Sequence, residues 1–94
     1  MATKIEVKNA GGNTYAVRVT EGKTESTHRV ALEDRDYARL ANGDVPPEEL
    51  IRLSFEFLLE HESKESILES FDLTVISRYF PQYEREIKKR IESA

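Results

Sequence analysis

From Lys4 to Leu32 the chain alternates between polar and apolar residues, and after Leu32 the alternation stops. Ile5 and Val7 share one face, as do Tyr15, Val17 and Val19, and then His28, Val30 and Leu32. Lys4, Glu6, Lys8, Arg18, Thr20, Thr27 and Arg29 fall between them. A strand sends successive side chains to opposite faces, so this period predicts antiparallel strands covered on one side only. Asn9-Ala10-Gly11-Gly12-Asn13 predicts a hairpin loop, because Gly and Asn tolerate positive φ. Glu21-Gly22-Lys23 predicts a second turn. The expected unit is a three-stranded antiparallel β-meander.

Beyond Leu32 the pattern becomes helical. Asp34 is placed to cap a short helix whose stripe is Tyr37, Leu40 and Ala41, and Asn42-Gly43 ends it. Pro46-Pro47 opens the next helix, with Glu48 and Glu49 at the positive end of its dipole. In that helix Leu50, Ile51, Leu53, Phe55, Phe57, Leu58 and Leu59 cover roughly two-thirds of the circumference, wider than the stripe of a surface helix. It must be covered on more than one side. A further helix is expected from Ser63, carrying Ile67, Leu68 and Phe71. Asp72 or Thr74 caps another with Leu73, Ile76 and Phe80 inward. Pro81 breaks that helix and starts the last one, striped by Tyr83, Ile87 and Ile91. Glu84–Lys88 and Glu86–Arg90 are i, i+4 pairs in the favourable order. The expected fold is α+β: the meander followed by four to five helices packed on one face, in a single domain over residues 1–94.

The net charge of −4 is unevenly spread. Residues 1–32 carry +2, residues 33–72 carry −8 and residues 73–94 carry +2. An acidic middle of this kind is a solvated face or a surface for a basic partner. The N-terminal MATKIEVKNAGG has no apolar region of a secretory leader. The longest apolar run, Phe57-Leu58-Leu59, is far short of the roughly 20 residues that span a bilayer. With no Cys to form a disulfide framework, the expectation is a soluble, cytoplasmic protein with no membrane partner.

"DLTVISRYF", residues 72–80, resembles the opening of a recognition helix in the repressor family typified by the lactose repressor. That resemblance implies DNA reading. Its register opposes this: with Ile76 on the motif's Val, the turn glycine falls on Ser70 and the small packing residue on Ser66. Pro81 cuts the second helix short. Arg78, Arg85, Lys88 and Lys89 form the candidate nucleic-acid surface. Three phosphate contacts would give a salt slope of about −2.7, that of a weak non-specific binder. Sequence-specific DNA is not an expected partner. A longer stretch, "LIRLSFEFLLEHESKESILESFDLTVISRYFPQYEREI", residues 50–87, resembles small prokaryotic proteins of unknown function, and that resemblance implies no activity.

Motifs for chemistry are sparse. "HESKE", residues 61–65, has Glu65 where the zincin helix needs its second His, so His61 and Glu65 supply too few ligands. His28 is expected at the inner edge of the sheet, hydrogen-bonded. Ser54 lies within the apolar arc and is expected to bond the Leu50 carbonyl. A nucleophile elbow, a phosphate loop and a dinucleotide fingerprint are all missing. No catalytic, cofactor-binding or metal residue is assigned, and the balance leans away from an enzyme. The reading is a protein–protein interaction or regulatory module with an unknown protein partner, or a homodimer. Its candidate surface is Arg52, Phe55, Glu56 and Leu59, at one edge of the wide apolar arc. The alternatives are a nucleic-acid-associated or antitoxin-like regulator using the basic last helix, and an enzyme or metal binder without a familiar motif.

Overall fold

The computed structural model describes residues 3–93. Residues 1, 2 and 94, and with them the start of the leader reading, lie outside the described residues. Three strands form as the alternation predicts: β1 (Thr3–Gly11), β2 (Thr14–Glu21) and β3 (Thr24–Ala31), paired antiparallel in sequence order. Tyr15, Val17, Val19, His28 and Val30 are buried on the inner face. Ile5 and Val7, on the edge strand, are half-buried. The first loop is shorter than expected. Gly11 pairs with Thr14, so the turn is only Gly12-Asn13, and the strand is bulged between Asn9 and Gly11. Asn9 fixes this corner: its Oδ1 accepts the Gly11 N–H (3.1 Å) and its Nδ2 donates to the Gly12 carbonyl (2.9 Å). Gly12 (φ +54°) and Gly22 (φ +60°) take the left-handed conformation that tight hairpins require.

Helix α1 spans Asp34–Ala41. Glu33, not Asp34, holds the capping position, without a side-chain cap bond; Asp34 is the first helical residue and contributes through the dipole. Asn42 ends the helix in the left-handed conformation at φ +49°, ahead of Gly43. Helix α2 (Pro47–His61) buries Leu50, Ile51, Leu53, Ser54, Phe55, Phe57 and Leu58, so its wide apolar arc is covered on several sides. The described helices are none of them long and apolar enough to cross a membrane.

The sheet has a fourth strand that a meander alone does not contain. Residues expected as a helix from Ser63 instead form a 3₁₀ turn (Lys64–Ser66) and then β4 (Ser70–Asp72), which runs parallel to β3. The order is β1-β2-β3-β4, a mixed sheet. Ile67, Leu68 and Phe71 mimic a helical stripe by their spacing. The β3 edge, however, offers backbone groups that need partners. Arg29 N–H donates to the Glu69 carbonyl (2.7 Å), and the His28 ring bonds the Leu68 carbonyl (2.8 Å). These contacts hold the chain extended.

Asp72 caps the 3₁₀ turn Leu73–Val75 by accepting the Thr74 N–H, and the short helix α3 (Ile76–Tyr79) follows. Leu73 and Ile76 are inward as expected, while Phe80 is half-buried. Helix α4 (Tyr83–Ser93) buries Tyr83, Ile87 and Ile91. Its expected i, i+4 ion pairs give way to tertiary ones at Glu84 and Arg90, while Glu86 lies near Lys89 in the same helix. Glu84 meets Arg39 of α1 at 2.6 Å, and Arg90 holds both carboxylate oxygens of Glu60 in α2 at 2.7 and 2.8 Å. Arg90 reaches both oxygens through one nitrogen, Nη2, in a charge-assisted contact at the surface that ties α4 to α2.

Candidate functional site

An open groove of about 380 Å³ lies between the end of α2, the segment after it and α3. Its wall is apolar, with Leu58, Ile67, Phe71, Ile76 and Phe80 contributing. Leu68 and Tyr79, the exposed large hydrophobic residues of the described chain at 49% and 68%, both border it. Single exposed apolar residues are ordinary on a protein surface; here two of them meet at one concave apolar wall.

Local structure explains both exposures. The bonds from His28 and Arg29 to the Leu68 and Glu69 carbonyls straighten the chain, so Ile67 turns in and Leu68 turns out. The His28 Nδ1 donates to the Leu68 carbonyl, which leaves Nε2 to accept from the Ser26 hydroxyl (2.8 Å) in the neutral ring. Tyr79 ends α3. There the Phe80 N–H bonds back to Ile76 and Pro81 prevents another turn, while Phe80 folds against Phe57 and His61. Among the described residues, the one charged side chain that lines the groove is acidic, Glu62, whereas Glu69 lines a separate concavity with Arg18 and Arg29; Arg78 is exposed next to Tyr79 in sequence.

The surface expected at Arg52, Phe55, Glu56 and Leu59 is divided. Phe55 is fully buried, against His28 (5.3 Å between ring centroids) and Phe71 (6.0 Å), so the open strip does not exist at that residue. The β4 segment covers the flank that a helix was expected to cover. Leu59 is half-buried on the core. Arg52 and Glu56 remain at the surface in a fork with Glu49, whose carboxylate accepts from Arg52 Nε at 2.7 Å. That hydrogen bond holds the Glu49 carboxyl below its ordinary value and raises the Arg52 guanidinium above its own.

The basic residues are partly gathered. Arg85, Lys88 and Lys89 are exposed on α4, where spacings of three and four share a face, with Glu86 lying 3.9 Å from Lys89. Arg78 is exposed on α3, a helix of 4 residues that displays a single turn of side chains. The segment resembling a recognition helix is therefore a strand end, a 3₁₀ turn and that one turn.

The groups suited to chemistry are dispersed. His28 and His61 share no contact: the His61 ring packs tilted against Phe57 (4.6 Å) and Phe80 (5.1 Å). Glu65 is bonded to Lys64, whose ammonium also lies 3.3 Å from Glu21, and these carboxylates raise the lysine's affinity for its proton. Carboxylate oxygens of Glu33, Asp36 and Asp72 lie within 4.8 Å of one another, a grouping the sequence did not suggest. Asp36 is engaged by Arg39 and Asp72 by Thr74. In the core, the Ser54 hydroxyl donates to the Leu50 carbonyl (2.8 Å), as expected, and also meets the Tyr83 hydroxyl at 2.6 Å. Burial pushes the Tyr83 phenol above its ordinary value, which favours the neutral form.

The groove is not evident in the sequence, because the spacing of Ile67, Leu68 and Phe71 places Leu68 on the inner face of a helix. The available signal is Tyr79, an aromatic residue outside the inward set Leu73, Ile76 and Phe80. No family model, curated protein or solved structure matches this chain.

Proposed function

We propose that this domain is a non-enzymatic protein-interaction module, and that the groove bordered by Leu68 and Tyr79 receives a segment of the partner. The observation that carries this is the meeting of both exposed large apolar side chains at one apolar concavity. Interaction sites combine an apolar centre with a polar rim, and aromatic residues are enriched in them. The groove favours a partner segment that inserts an apolar side chain and carries Lys or Arg toward Glu62. The charge of −8 over residues 33–72 adds long-range attraction for such a segment.

The test compares proteins captured from the native host by the wild type and by Tyr79→Glu and Leu68→Asp. Both substitutions sit at exposed positions, and circular dichroism verifies folding. A polypeptide retained by the wild type, lost with both variants and bound directly by the purified wild type supports the reading. An identical captured set for all three chains overturns it.

A further inference from the structure

The two edges of the sheet are built differently. The β4 edge is short (Ser70–Asp72) and is flanked by 3₁₀ turns. The β1 edge is long (Thr3–Gly11), has no proline and is regularly paired from Thr3 to Asn9, with its bulge only beyond that point. Proteins blunt exposed edges with short strands, prolines, bulges, inward-pointing charges or charged side chains, Lys above all. Between Thr3 and Val7, β1 has only the last, and its two charges, Lys4 and Glu6, are of opposite sign.

The hairpin register shows which backbone groups face outward. Glu21 and Thr24 flank the two-residue turn Gly22-Lys23, so they form a hydrogen-bonded pair. Pairs alternate along the ladder, so the odd-numbered residues of β2 bond β3 and the even-numbered ones bond β1. Thr20 opposes Lys4 and Arg18 opposes Glu6. The backbone groups of Lys4 and Glu6 are therefore used within the sheet. Those of Thr3, Ile5 and Val7 point to the open edge.

We infer that this edge pairs with the β1 edge of a second copy of the chain, antiparallel about a twofold axis at Ile5. In this register Ile5 opposes Ile5 of the partner copy, and Thr3 opposes Val7. Among the described residues these are the ones whose N–H and C=O groups face the open edge, so they form the hydrogen-bonded pairs. Lys4 and Glu6 then fall opposite each other in both directions, in the pairs where side chains approach most closely. A register centred on Lys4 or Glu6 would set like charges against each other. On the inner face, Ile5 and Val7 are only half-buried, so α2 leaves them apolar surface to bury in this contact. The result is a continuous sheet of eight strands, two copies of the four-stranded one. It uses a different surface from the groove.

Light scattering over a concentration series tests the association, and charge exchange tests the register. The wild type is expected to dimerise. Lys4→Glu sets a new carboxylate against Glu6 of the other copy, and Glu6→Lys sets a new ammonium against Lys4 of the other copy. Each variant alone should dissociate at least about tenfold more readily. An equimolar mixture of the two restores opposite charges at both positions and should recover the dimer. A wild type that stays monomeric overturns the inference, as does a dimer indifferent to either substitution, or a mixture that fails to recover. Amide exchange in the wild type reads the same edge without substitution. The Thr3, Ile5 and Val7 amides should become protected as concentration rises, while those of Lys4 and Glu6 are protected throughout. A dimer that leaves Ile5 and Val7 unprotected overturns the inference equally.

Discussion

Ser54 and Tyr83 show how one polar pair is accommodated in an apolar interior. Ser54 is fully buried in α2 and has two partners, the Leu50 carbonyl and the Tyr83 hydroxyl. Among the described residues Tyr83 has a single side-chain hydrogen bond, to Ser54, so the two ends are not equivalent. Ser54→Ala strands a buried phenol hydroxyl and should cost about 1–3 kcal/mol. Tyr83→Phe leaves Ser54 bonded within its helix and should cost about 0.5–1.5 kcal/mol. In urea unfolding, the double variant should lose less than the two single losses combined; strict additivity would mean that the hydroxyls are not coupled. A second residue-scale effect concerns acid. Arg39 holds the Glu84 carboxyl below its ordinary value in the folded chain, by a hydrogen bond above all. The unfolded chain, titrating near about 4.3, then binds more protons than the folded one. The stabilisation is complete above that value and is lost as pH falls through the depressed folded one. The pair is partly solvated, so it is worth less than about 1 kcal/mol. Denaturant midpoints measured from about pH 6 to about pH 3 should fall less for Glu84→Gln than for the wild type. Equal falls would show that the pair adds no acid sensitivity.

At the scale of elements, legibility depends on whether a signal is local. The three strands, their inner faces and the stripe of α4 follow from a period that each segment carries by itself. The 63–72 segment carries Ile67, Leu68 and Phe71 at a helix-compatible spacing, yet its conformation is fixed by the β3 edge, some forty residues earlier in the chain. No reading of the segment alone exposes that contact. The groove is hidden for the same reason, since its exposed residue Leu68 belongs to that segment. The wide arc of α2 is legible as a demand for cover on several sides, but not which layer supplies it; β4 and Phe71 supply it at Phe55. Two substitutions separate core from surface here. Phe55→Ala removes a fully buried ring and should cost about 3–5 kcal/mol. Tyr79→Ala, at a residue 68% exposed, should stay within about 0.5 kcal/mol of the wild type. Comparable losses in chemical denaturation would place Tyr79 in the core and close the groove.

For the whole molecule, the decisive feature is that the sheet cannot bury its own apolar face. The meander of residues 3–31 is contiguous in sequence, but Val17, Val19 and Val30 are buried only because the later helices close over them. A small sheet without such cover is marginal in water. The helical layer is tied together in turn by Tyr83 on Ser54, Glu84 on Arg39 and Arg90 on Glu60, which join α4 to α1 and α2. Sheet and helices should therefore unfold as one cooperative unit. The chain has no Trp, so tyrosines are its intrinsic fluorophores. Tyr15 reports from the sheet and Tyr83 from α4, and both are buried. Variants whose sole tyrosine is Tyr15 or Tyr83, the other three being replaced by Phe, should give the same urea midpoint by fluorescence as by far-ultraviolet circular dichroism, once each variant's own stability is taken as reference. Loss of the Tyr83 signal ahead of the dichroism would show that α4 detaches first. In that case the isolated peptide 1–32, expected to be unstructured, becomes the sharper measurement: a folded peptide would mean that the sheet does not depend on its helical cover.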